Sequence, residues 1–368
     1  MDGEVVYLYS YDVAREIDLK RAEASLRREE GAGFLEVDTG KAAPREVPYH
    51  RPLLLKLPPI QLATARGTLE LRVELKAFSV GVLSLSFHRP FEGATLEDLV
   101  RAHRVETTAK QSLDALAEET VERALERIGP FLVSPARAAG RPEAYTVFCV
   151  TRTDGAAPDA AIWLAERRRE VAALLTEEED PGRLSERKIE EVLETRFSYY
   201  ADDLAVIDWD AAFVLEPDSS YQDVLFVIES VNVQLTELRF YDRVLDETLD
   251  RSYDDLTRYR RRPLARGLRR SLARLRELRS DLTLVYEEIH NVTKFFGDYH
   301  LARVYGGCVQ RFHVAEWQES VERKLRTLDG LYYAIHEDVN TRKMLALETV
   351  IVILFVLDLA GLALQALR

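Results

Sequence analysis

Apolar and polar residues alternate strictly in two neighbouring runs, LELRVELK at 69–76 and SVGVLSLSF at 79–87. A period of two with β-branched content predicts a pair of strands with one buried face. EVVYLYS at 4–10 reads as another strand, and AYTVFCVT at 144–151 as a continuous apolar one. LAVIDW (204–209) and AAFVLEP (211–217) read as two short strands, and the proline-rich RPLLLKLPP at 51–59 as an extended connector. Helical stretches fall between them. DLKRAEASLRREE at 18–30 predicts an exposed helix. Thr95, with Asp98 three residues on, marks the cap of a helix running, with breaks, to Ile128, where Gly129-Pro130 stop it. Further helices are expected at about 160–176 and 185–196. Strands mixed with helices predict one α/β or α+β domain over residues 1–217.

Beyond Pro217 glycine and proline become scarce and the apolar period turns helical. Residues 219–258 contain VLFVIESVNVQLTELRFYDRVLDETL, an amphipathic helix. A break at Arg262-Pro263 precedes a second helix at about 264–293, and FFGDYH and YGGC interrupt the pattern between 295 and 308. A third helix begins near Ala315 and continues into MLALETVIVILFVLDLAGLALQAL at 344–367. That last stretch is long enough to cross a hydrocarbon core of about 30 Å at about 1.5 Å per residue. The expected class is α+β: an N-terminal α/β domain (1–217), a helical hairpin with a stalk (218–341), and a C-terminal transmembrane anchor (342–368).

The apolar stretch carries a polar seam. Met344, Glu348, Ile351, Phe355, Asp358, Leu362 and Gln365 fall on one heptad line, spaced alternately by four and three residues. Such a seam predicts contact with protein rather than lipid. Asp358 lies deep in the span, where an ionised acid costs about 2.5–3.5 kcal/mol on insertion scales. It is therefore expected to be protonated, paired, or turned to a cavity. A self-association stripe and an ion or proton path both fit the pattern, as does burial in a soluble oligomer.

Composition narrows the function. A net charge of −13 argues against general nucleic-acid binding. Two cysteines give no disulfide framework, and the acidic start MDGEVVYLYSYD resembles neither a secretory signal nor a transit peptide. Arg342 and Lys343 precede the span while only Arg368 follows it, which predicts that the N-terminal bulk stays in the cytoplasm. The expected location is a bacterial inner (cytoplasmic) membrane. Arg258, Arg260, Arg261, Arg262, Arg266, Arg269 and Arg270 open a basic stretch that continues to Arg279 with Glu277 as its one acid. If the preceding helix runs antiparallel to the stalk, that stretch lies beside the bilayer, where anionic lipid gains about 1 kcal/mol per charge. A solvated helix face and an RNA phosphate contact are the competing readings.

Chemistry-bearing motifs are weak. TGK at 39–41 lacks the phosphate-loop serine or threonine, since Ala42 stands there. Glu287 and His290 have the spacing used in di-iron bundles, but as a single copy. Asp202, Asp203, Asp208, Asp210, Glu216 and Asp218 could offer oxygen ligands to a divalent cation, or form an ordinary solvent face. Phe295, Phe296, Gly297, Asp298, Tyr299 and His300 form an aromatic joint that reads as a binding loop or as a structural corner. No cofactor and no catalytic set is expected.

Several pieces together resemble the required-for-meiotic-nuclear-division family. They are Ile17-Asp18-Leu19, the strand at 78–87, Phe295-Phe296 before a helix with Lys324-Leu325, and Arg342…Leu347-Glu348 with Asp358 ten residues after the glutamate. The resemblance implies an oligomeric inner-membrane protein that supports translation of membrane proteins, with a ribosome or membrane-assembly partner. The architecture is also similar to CorA-type magnesium channels, although the chain lacks their second membrane helix and Gly-Met-Asn loop. The reading favoured by the sequence is a non-enzymatic, tail-anchored, self-associating scaffold. An ion- or proton-conducting oligomer follows it, and a membrane-tethered enzyme comes last.

Overall fold

The computed structural model describes residues 1–26, 32–34, 52–64, 67–105, 111–135, 141–153, 159–217, 221–261, 279–280 and 299–366. Its contacts divide the chain into two units. One is Met1–Phe240 with Leu284–Gln318, and the other is Tyr241–Thr283 with Glu319–Arg368. The first of these divisions falls within a helix whose residues 222–240 pack on the sheet described next.

The first unit is built on a nine-stranded sheet. Its strands are β1 (Asp2–Asp12), β3 (Ala32–Phe34), β4 (Leu53–Thr64), β5 (Gly67–Ala77), β6 (Val82–Phe91), β8 (Glu143–Arg152), β9 (Arg196–Phe197), β10 (Leu204–Ile207) and β11 (Ala211–Leu215). They lie in the order β3-β4-β5-β6-β1-β8-β11-β10-β9, antiparallel except for β8 beside β11. A small separate pair joins β2 (Ala14–Ile17) to β7 (Leu132–Pro135). The two alternating runs do pair, as β5 with β6, with Val73 opposite Phe87 and Leu75 opposite Leu85. Gly81 sits in the turn between them at φ +91°, and a Cβ there would lie 1.7 Å from the Ala14 carbonyl oxygen. The turn therefore requires glycine twice over, for its conformation and for its close approach.

Residues 51–59 do not form a loose connector. Most of them belong to β4, whose ladder with β5 shifts register between Leu57 and Ile60. Pro58 and Pro59 occupy that irregularity, where their lack of an N–H breaks no required bond.

One sheet face carries the apolar core. Tyr7, Leu75, Leu85, Phe87, Phe148 and Phe213 pack there against α2 (Leu96–Ala102), α3 (Leu113–Ile128), α4 (Ala160–Glu166), α5 (Arg168–Leu175) and α6 (Glu186–Val192), while α1 (Leu19–Leu26) adds Ala22 and Leu26. Trp163 stacks on Phe213 with ring centres 5.4 Å apart. Thr95 and Asp98 form the reciprocal capping box at the start of α2, as their spacing predicts. Asp159 and Ser185 cap α4 and α6 by the same physics.

Three helices complete the described chain: α7 (Gln222–Arg261), α8 (Tyr299–Arg311) and α9 (Val314–Ala366). The YGGC segment does not interrupt a helix; it lies inside α8. Gly307 lets α8 approach closely, since a Cβ there would meet the Phe197 ring at 2.3 Å. As the sequence predicts, α9 runs unbroken from residue 314 into the apolar stretch.

Candidate functional site

The alternation that turns Val73, Leu75, Leu85 and Phe87 to the helical core turns Arg72, Glu74, Lys76, Ser84, Ser86 and His88 to the opposite face. That face is not left to solvent. The first half of α7 covers it, and residues 224–238 are buried all round except for the half-buried Phe226. The layer between helix and sheet is therefore polar and buried. Lys76 pairs with Glu229, with side-chain exposures of 8% and 0%, and Ser84 donates to the second Glu229 oxygen at 2.7 Å. One turn on, Asn232 donates to Ser10 Oγ at 3.0 Å and to the Glu143 carbonyl at 3.2 Å. Arg239 pairs with the Glu143 carboxylate and lies over the Trp317 ring at 5.1 Å.

A second cluster lies at the other end of the same face. The Glu4 carboxylate meets His88 Nδ1 at 3.0 Å, Arg72 at 3.1 Å, and the Tyr221 hydroxyl, which donates to it at 3.0 Å. Arg72 also bridges to Glu74 at 3.0 Å. Burial pushes the Glu4 pKa up, but the hydrogen bond and charge of His88, with Arg72 and Tyr221, more than offset it and hold the carboxyl below its usual range. Burial likewise pushes the Cys149 thiol well above its ordinary value, so it is inert rather than nucleophilic.

This arrangement fixes where α7 sits. In this register Glu229 meets Lys76 and Ser84, and a displacement that parted Glu229 from Lys76 would leave a buried acid without its cation. Sequence reasoning missed the layer. The available signal was Glu229, a lone acid inside the apolar run VLFVIESVNV, facing a strand whose polar positions are fully charged.

The seam residues Met344, Glu348, Ile351, Phe355, Asp358, Leu362 and Gln365 all lie in α9. From Met344 to Gly361 the helix has a mean hydropathy of 2.3, and none of that window is buried. Ile351 and Phe355 are 59% and 65% exposed. Within the second unit the earlier part of α9 is partnered, with Lys324 bridging Asp242 (2.8 Å) and Asp246 (2.7 Å), and Tyr332 bonded to Ser252 at 2.9 Å.

The other predicted residues fare unevenly. Arg258, Arg260 and Arg261 end α7. Arg262, Arg266, Arg269 and Arg270 lie outside the described residues, as do Phe295, Phe296, Gly297, Asp298, Asp218, Glu287, His290 and the TGK segment. Tyr299 and His300 open α8, with Tyr299 80% exposed and His300 packed edge-on to Tyr199. The acidic patch is not drawn into one site. Asp208 is buried against Arg311, while Asp203 accepts the backbone N–H groups of Tyr199 and Tyr200. Burial, then the charge of Asp208, pushes the Asp210 pKa up. Among the described residues no three His, Cys, Asp or Glu side chains are grouped to hold a metal ion.

The residues lining a cavity of about 960 Å³ include Arg101, His103, Arg104, Glu177, Glu179 and Arg183. His103 Nε2 lies 2.6 Å from the Leu174 carbonyl oxygen, and burial pushes the pKa of the imidazole down. Its mixed charge defines no ligand class.

Comparison with known proteins places these features. The model of the family described as "Uncharacterized protein MJ0711, N-terminal domain" matches residues 2–222. The chain belongs to this family. The match takes in the whole sheet and ends at the first residue of α7. The uncharacterised protein MJ0711 of Methanocaldococcus jannaschii is 25% identical over 224 residues, 59% of this chain. The match spans 65% of the length of that relative. No solved structure matches.

Proposed function

We propose that the chain is a non-enzymatic scaffold held at the cytoplasmic membrane by the apolar part of α9, with the sheet unit on the cytoplasmic side. The observation that carries this reading is the exposure of the Met344–Gly361 window, none of it buried. Each large aliphatic side chain left in water forgoes about 1.5–3 kcal/mol of burial, and a bilayer removes that cost for all of them together. Arg342 and Lys343 at the N-terminal side of the window support the orientation.

The seam supports self-association. Glu348 and Asp358 would set its register, because a polar group in a membrane helix interface gains more from a partner than from lipid. Asp358→Leu is expected to change oligomer size in native mass spectrometry of detergent-extracted protein while membrane insertion persists. An unchanged size counts against the seam. The acid at Asp358 also favours a second reading, a CorA-like ion- or proton-conducting oligomer. That reading predicts proteoliposome flux that disappears in Asp358→Asn, and silent liposomes refute it.

The basic stretch beginning at Arg258 fits contact with anionic lipid at the same membrane. The resemblance to required-for-meiotic-nuclear-division proteins adds, by analogy alone, a role in supporting translation or assembly of membrane proteins. On that analogy the partner is a ribosome or an assembly factor.

A further inference from the structure

The turn that follows β9 displays two aromatic rings that a fold would ordinarily cover. Tyr199 and Tyr200 are 60% and 67% exposed. They are nonetheless held in place. Asp203 accepts the Tyr199 backbone N–H at 2.7 Å through one oxygen and the Tyr200 N–H at 2.9 Å through the other. Ser198 Oγ donates to the Tyr200 carbonyl at 2.6 Å. The rings stand at right angles, 4.7 Å apart at 85°, and His300 of α8 meets Tyr199 at 5.5 Å and 68°.

These rings form one wall of a cavity of about 250 Å³. Its lining includes the aliphatic Leu204, Val214, Leu215 and Leu301, the acids Asp203, Glu216 and Asp223, and His300; among the described residues no lysine or arginine lines it. The nearby cation Arg303 is engaged elsewhere, over the Phe197 ring at 5.8 Å. The volume lies below the roughly 300–1,000 Å³ of a drug-sized pocket and suits one long side chain.

We infer that this cavity binds an arginine side chain presented by a partner polypeptide. Three properties select the guanidinium. Aromatic faces attract a delocalised cation, and the planar group stacks on a tyrosine ring where an ammonium does not. The lining carboxylates of Asp203, Glu216 and Asp223 supply the opposite charge. The aliphatic part of the lining accepts the three-carbon stem. The turn is already braced by Asp203, so little ordering cost opposes binding. This site stands independently of the membrane reading.

The test uses the full chain in mild detergent and a fluorescein-labelled nonapeptide with one arginine among glycine and serine, followed by anisotropy. The comparison peptides carry citrulline, which keeps the shape and loses the charge, or lysine. The arginine peptide is expected to bind about tenfold tighter than either, a difference of about 1.4 kcal/mol. Tyr199→Leu with Tyr200→Leu keeps the apolar bulk and removes the ring faces; it is expected to lose about the same tenfold. Both positions are exposed, so an unchanged circular dichroism spectrum and melting temperature verify that the variant is folded. Equal binding of the citrulline or lysine peptide overturns the assignment. So does equal binding of the arginine peptide to the double variant, which would mean general attraction to an acidic protein. Absence of any binding at millimolar peptide also overturns it.

Discussion

Lys76→Met is the sharpest probe of the buried layer. It retains the aliphatic stem and removes the ammonium, leaving Glu229 fully buried with Ser84 still donating to its carboxylate. Breaking a buried pair in this way costs about 3–5 kcal/mol. At about 2–4 °C per kcal/mol for a domain of this size, the melting temperature should fall by about 6–20 °C. Removing the whole constellation is expected to behave differently. In Lys76→Met/Glu229→Leu/Ser84→Ala no charge or hydroxyl of the trio is stranded, and apolar replacement of a buried ion pair is often neutral or stabilising by about 1–4 kcal/mol. The triple variant should therefore recover most or all of the loss. Thermal unfolding of the full chain in detergent, followed by tryptophan fluorescence, reads both. A shift below about 2 °C for Lys76→Met would refute the reasoning, because it would mean that Glu229 finds water. A triple variant no better than the single one would refute it equally.

Other consequences are tested more briefly. The Glu4 carboxyl is held below its unfolded value of about 4.3, so its contribution is present above that pH and is lost as pH falls through the lower folded pKa. Glu4→Gln should accordingly flatten the acid side of the stability profile below about pH 4.3; an unchanged slope in urea titrations counts against the cluster. The adjacent glycines of α8 should part company. Gly307→Ala drives a Cβ to 2.3 Å from the Phe197 ring, and overpacking of this kind costs about 1–3 kcal/mol. Gly306→Ala meets nothing within 4 Å and should gain about 0.5–1 kcal/mol of helix stability. Equal melting temperatures for the two variants would contradict the packing described for α8.

The sequence announced regular alternation and long helical periods well, because each is set locally. The β5–β6 pair, the Thr95–Asp98 cap and the unbroken α9 all follow from neighbouring residues. What it concealed depends on the fold. Pro58 and Pro59 read as a stop, yet a strand absorbs them because the ladder slips at that point. The glycines of YGGC read as a break, yet helix packing against Phe197 requires one of them. The α7 pattern reads as amphipathic, with polar residues expected outside. In the fold Glu229, Asn232 and Gln234 are buried, because the sheet and Tyr305 of α8 supply partners for them. Polar residues on a strand and on a helix some 150 positions away give no local sign that they will meet. The aromatic pocket is half visible: His300 belongs to the aromatic joint that the sequence marks, but Tyr199 and Tyr200 come from a distant turn.

The central claim, that α9 holds this protein in a membrane, is tested most directly by alkaline carbonate extraction of membranes containing the full chain, followed by ultracentrifugation. The account predicts that the protein stays in the membrane pellet, and that Ile353→Arg with Leu354→Arg, in the middle of the exposed window, releases it to the supernatant. Recovery of the unaltered chain in the supernatant would contradict it.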